Sequence, residues 1–111
     1  MKRPGSIEFD SEALEAAEHW HGGQSSMLYA IVSTGSLSRG TIRPQSYDED
    51  RPMTDDEWIA DLASDLSCEA ERCLRDARKM IKGKRGKERA EDQRDIDGLI
   101  SIIATIEEWR S

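Results

Sequence analysis

Apolar and polar residues recur with a helical period through the second half of the chain. Trp58, Ile59, Leu62, Leu66, Ala70, Cys73, Leu74, Ala77, Met80 and Ile81 fall within an arc of about 160° when successive residues turn by 100°. Thr54-Asp55-Asp56-Glu57 heads this run. Thr at the N-cap and Glu three residues on make a capping box, and the three acids oppose the positive end of the helix dipole. Lys79, Lys82, Gly83 and Lys84 close it, placing cations at the negative end before a glycine stop. Beyond Gly86 a second periodic run is polar from Lys87 to Asp95 and then apolar at Ile96, Leu99, Ile100, Ile102, Ile103, Ile106 and Trp109. That second apolar arc spans nearly 180°, more than one partner helix covers. Gly98 within it costs about 1 kcal/mol relative to Ala unless another backbone passes close by. The short turn from Gly83 to Lys87 makes the two helices antiparallel neighbours. The pattern therefore predicts an all-α fold: a long antiparallel helical hairpin (54–82 and 87–110) packed with a shorter N-terminal helical pair.

The N-terminal half is less regular. Residues 1–9 read as an arm, and Asp10 as the N-cap of a helix from Ser11 to His21, with Phe9 and Leu14 placed as a hydrophobic staple. Leu14, Ala17 and Trp20 form its apolar stripe, and Gly22-Gly23 stops it. Residues 24–34 suit either a buried helix, with a serine N-cap and Gly35 beyond its end, or a strand through Ile31, Val32 and Thr34. The helix is preferred, although an apolar run this short does not separate the two by period. Residues 36–53, rich in Ser, Gly, Pro and Asp, read as an irregular connection with an extended piece at 37–43.

Composition agrees with helix: one Val and one Phe stand against ten Ala and seven Leu. At 111 residues a single domain with a small core is expected, which excludes a multidomain enzyme. No apolar run approaches the ~18 residues of a membrane span, and Met1-Lys2-Arg3-Pro4-Gly5 lacks the apolar core of a signal peptide. A cytoplasmic protein without membrane contact is expected. Cys68 and Cys73, at i,i+5, point about 140° apart on a helix and read as reduced, buried structural thiols. His19 and His21 lie too far upstream to complete a zinc site with them, so no metal or cofactor is expected.

Two segments carry candidate chemistry. His19, His21, Gly22, Gly23, Gln24, Ser25 and Ser26 combine backbone donors, hydroxyls and imidazoles at the start of the second helix, where a helix N-terminus favours an anion. The simpler reading is a helix-to-helix corner in which a serine is the N-cap. The second segment is charged. The formal net charge is −7, yet the stretch from Arg72 to Arg89 holds nine cations against Asp76 and Glu88. Arg75, Arg78, Lys79, Lys82, Lys84, Arg85 and Lys87 thus give a basic tip on an acidic body, suited to a protein partner, a nucleotide or nucleic acid, or solvent. No aromatic residue sits among them to stack on a base.

The string His21-Gly22-Gly23-Gln24-Ser25-Ser26-Met27-Leu28-Tyr29-Ala30, with Ser33-Thr34-Gly35, resembles a segment of small phage and prophage proteins of unassigned function. The resemblance implies a bacterial or phage origin and carries no activity or catalytic residue. No catalytic constellation is readable, so the expected function is a non-enzymatic interaction or assembly protein. A homo-oligomer is expected to form through the surplus apolar face at Ile96, Leu99, Ile100, Ile103, Ile106 and Trp109. The alternative is a small anion-, nucleotide- or nucleic-acid-binding accessory protein.

Overall fold

The computed structural model describes residues 6–38, 50 and 53–110. In chain order the elements are β1 (Ser6–Glu8), α1 (Ser11–Trp20), α2 (Met27–Thr34), β2 (Ser36–Ser38), α3 (Asp55–Ile81) and α4 (Gly86–Arg110). The fold is the expected helical one, with a small two-stranded sheet added. Residues 1–5 of the expected arm, and 39–49 and 51–52 of the expected connection, lie outside the described residues.

Local chemistry sets each helix start. Thr54 accepts from the Glu57 amide (3.2 Å) while Glu57 Oε1 accepts from the Thr54 amide (3.5 Å), which completes the capping box of α3. Asp10 caps α1 by accepting from the Ala13 amide at 2.8 Å. Ser26 caps α2, and Gly35 ends it in the left-handed region (φ 78°), where a side chain would be strained. Residues 27–34 are therefore helix. Gly83 (φ 86°) and Gly86 (φ 64°) turn the hairpin, which is closed by the 2.7 Å ion pair of Lys84 with Asp92 and, at the far end, by Arg110 donating to Ser64 at 2.9 Å.

The α3–α4 hairpin is the frame on which the N-terminal elements pack. The antiparallel pairing of β1 with β2 sets Ile7 opposite Leu37, and both are buried in the core. The buried residues of α1 are Ala13, Ala16 and Ala17 rather than the predicted stripe of Leu14, Ala17 and Trp20. Leu14 and Trp20 sit only half-buried at its edge. The reason is a close helix crossing. A Cβ on Gly98 of α4 would lie 2.5 Å from Ala16 Cβ and 2.5 Å from the Glu12 carbonyl oxygen, so α1 presents its small residues where α4 has no side chain.

This packing also corrects the expected self-association face. Ile96, Leu99, Ile106 and Trp109 are buried within the chain, where α1 and α3 both pack on α4. Ile103 is half-buried, and only Ile100 is exposed. Met80, expected on the buried arc of α3, is 52% exposed. The end of α1 meets α3 at Cys73, whose Sγ donates to the Trp20 carbonyl at 4.0 Å, and Met80 lies about two turns further toward the tip. Of the two thiols expected inside, Cys73 is buried and Cys68 is exposed, because residues 140° apart on one helix do not share one buried face.

Candidate functional site

The Gly-Gly corner is a structural joint whose anion comes from within the chain. Gly23 takes φ 123° and its carbonyl accepts from the Ser26 amide at 3.1 Å. The Ser26 hydroxyl accepts from the Leu28 amide (3.2 Å) and donates to the carboxylate of Glu69 on α3. The other oxygen of Glu69 accepts from the Met27 amide at 2.9 Å. A carboxylate thus already occupies the place at the α2 N-terminus where the dipole favours negative charge.

The two histidines are not brought to a common point. His19 Nδ1 lies 2.9 Å from Asp95 of α4, and this hydrogen bond raises its pKa above the ordinary 6.5 against an opposing effect of burial, with the charges of Asp95, Glu15 and Glu18 adding to the rise. His21 packs edge-on against Tyr29, with ring centroids 5.3 Å apart. Gly22, Gln24 and Ser25 are exposed. The candidate anion site is therefore dispersed: Ser26 is consumed as a cap, His19 in an ion pair and His21 in an aromatic contact. Sequence reasoning missed Glu69 because its partners lie 42 and 43 residues away, and a carboxylate at the margin of an apolar arc looks solvated.

Burial and the nearby carboxylates of Glu69 and Asp76 push the Cys73 thiol up, although Arg72 acts against them. A raised pKa disfavours the thiolate and makes this sulfur a poor nucleophile.

The basic tip divides in two. Lys84 is held by Asp92, which raises its pKa through a hydrogen bond, and Arg85 and Lys87 lie on the turn and the first residues of α4. Arg75, Arg78, Lys79 and Lys82 instead line one side of an open groove of about 680 Å³ between α3 and α4. Its apolar part is Leu74, Ile100, Ile103 and Ala104, and Glu71 and Glu107 complete the lining. None of the four cations is ion-paired with another described residue. Ile100 is 41% exposed and is, with Met80, one of two large apolar side chains exposed among the described residues.

The groove follows from the two sequence patterns together. The apolar arc of α4 is too wide for α1 and α3 to cover, so Ile100 and part of Ile103 remain at its margin. Arg75, Arg78 and Lys79, at i, i+3 and i+4 of α3, share the helix flank that faces this margin, and Lys82, the C-cap of α3, extends the row. Among the described residues no cluster of three or more His, Cys, Asp or Glu is placed to hold a metal ion, and no helix is long and apolar enough to cross a membrane. Comparisons with protein-family models, with curated proteins and with solved structures find no match.

Proposed function

We propose that this protein is a small non-enzymatic interaction module, of bacterial or phage origin, that engages a protein partner through the outer groove of the α3–α4 hairpin. The observation that carries the reading is the coincidence, in one open groove, of an exposed aliphatic at Ile100 with unpaired cations at Arg75, Arg78, Lys79 and Lys82. Apolar contact supplies affinity that is roughly proportional to buried area, while the flanking charge sets orientation and encounter rate. The Gly-Gly corner is a weaker candidate, since the Ser26 hydroxyl and the Met27 amide at the α2 N-terminus are spent on Glu69.

The reading is tested by placing a photoreactive amino acid at Ala104, inside the groove, or at Ala90, an exposed position near the start of α4. In the host cell, Ala104 should give a discrete protein adduct that Ala90 does not give and that Ile100→Asp abolishes. Equal labelling from both positions, with light scattering showing a 12.5 kDa monomer at every concentration, refutes it.

A further inference from the structure

We infer that the groove is built for one kind of occupant: an acidic amphipathic helix of another protein, laid along α3 and α4 with its apolar stripe on Ile100 and Ile103 and its carboxylates toward Arg75, Arg78, Lys79 and Lys82. This deepens the interaction reading above and rests on it.

Charge and spacing carry the argument. Arg75, Arg78 and Lys79 occupy i, i+3 and i+4 of α3, and Lys82, its C-cap, follows three residues on, so the row spans about 10 Å. A second helix has the same repeat, so carboxylates placed at i, i+3 or i+4, and i+7 along its flank meet the row in register. The lining reaches from Glu71 on α3 to Lys82 at its C-cap, room for about three turns of a docked helix. Both walls are α-helices whose backbone groups are bonded internally, so neither offers an edge to which an extended strand could add. A groove between two packed helices does accept the side-chain ridge of a third.

Other occupants fit the lining less well. A nucleic acid would cover Ile100 and Ile103 with phosphate and sugar and would find no aromatic side chain to stack on. A second copy paired groove to groove brings four cations and two carboxylates from each side, leaving excess positive charge on both faces. Apart from Ile100, the one large apolar side chain exposed among the described residues is Met80, which does not line the groove and sits on the basic half of α3.

The test uses the full chain and a fluorescein-labelled 18-residue peptide, stapled to hold helix, with Leu along one stripe and Glu on the adjoining flank. Two controls accompany it: the same composition scrambled to break the stripe, and the same stripe with Lys in place of every Glu. Fluorescence anisotropy should give saturable binding of the acidic helix and at least tenfold weaker binding of both controls. Arg78→Glu with Lys79→Glu, and separately Ile100→Asp, should each weaken binding at least tenfold while the far-UV circular dichroism is unchanged. Arg85→Glu with Lys87→Glu, outside the groove, should change it less than twofold. Scrambled peptide binding as well as the acidic helix, equal loss from the Arg85 and Lys87 pair, or no binding at millimolar peptide each overturns the inference. So does a 20-base-pair duplex that competes at equal concentration, or a concentration-dependent dimer abolished by Ile100→Asp. An Ala104 adduct to a protein that presents no acidic helix removes this occupant and leaves the interaction reading standing, whereas the absence of any adduct removes both.

Discussion

Gly98→Ala is the substitution on which helix propensity and tertiary packing disagree most sharply. Gly98 lies inside α4 with an ordinary helical backbone, so propensity alone says that Ala should stabilise by about 1 kcal/mol. The added Cβ would instead sit 2.5 Å from both Ala16 Cβ and the Glu12 carbonyl oxygen, and 3.3 Å from the Glu12 carbonyl carbon. Carbon contacts settle at about 3.5–4.0 Å, so α1 must withdraw by about 1 Å. Two of the opposing atoms are backbone and cannot rotate away. Withdrawal also stretches the contacts that tie α1 to α4, namely Ser101 to Asp10 at 3.0 Å and His19 to Asp95 at 2.9 Å. Overpacking costs about 1–3 kcal/mol, and against fixed backbone it falls in the upper part of that range, about 2–3 kcal/mol, so with the propensity gain of about 1 kcal/mol subtracted the expected net loss is about 1–2 kcal/mol. For a chain of this length that corresponds to a fall in Tm of roughly 4–8 °C. Urea unfolding followed by circular dichroism at 222 nm measures it, with Ala90→Gly on an exposed part of the same helix as control, expected to lose about 1 kcal/mol through propensity alone. Opposite chemical changes should thus both destabilise. A Gly98→Ala protein that is more stable than the parent would refute the close crossing of α1 and α4.

Ser26→Ala and Glu69→Ala should each cost about 1–3 kcal/mol, and their double-mutant cycle should show coupling above about 0.5 kcal/mol, because both belong to one cap; strict additivity would refute the shared cap. His21→Phe should be neutral or stabilising, since the ring keeps its edge contact with Tyr29 and loses an Nδ1 that is shut off from solvent without a partner; a thermal melt showing a loss above about 1 kcal/mol counts against it. The pKa of His19 is raised in the folded chain, so its ion pair with Asp95 contributes fully below the unfolded value of 6.5 and is lost as pH rises through the folded value. The stability difference between the parent and His19→Gln should therefore shrink from about pH 5.5 to 8.5, and a difference that grows would contradict the sign. Under native conditions a thiol reagent should label exposed Cys68 at once and buried Cys73 only as the chain opens, as read by mass spectrometry of the two peptides.

Everything decided within a few residues was legible in the sequence. The capping box at Thr54, the cap at Asp10, a serine cap for α2, the glycine stop at Gly35 and the basic end of α3 are short-range events, each satisfying a helix terminus with side chains or turns close by; that the serine is Ser26 and not Ser25 was left to the structure. Periodicity then made the long hairpin readable, because an apolar stripe sustained for seven turns has no other stable use. The basic residues of the groove were also visible as a charge excess, though their partition between groove and turn was not.

What the sequence left open depended on which surfaces meet across long separations. Whether the wide face of α4 faces α1 or another subunit is decided by a backbone approach at Gly98, which one sequence shows only as an apparent defect in a helix. The chemistry of the Gly-Gly corner is decided by Glu69, a residue 43 positions from Ser26, so the helix N-terminus that reads as a vacant anion site is filled from within. The β1–β2 pairing likewise joins segments about thirty residues apart through backbone bonds that carry no side-chain signature. Local propensity and period determine where helices begin, end and turn their apolar faces. Only the tertiary packing decides which of those faces is consumed inside the chain and which, as at Ile100 in the groove it shares with Arg78 and Lys79, stays exposed.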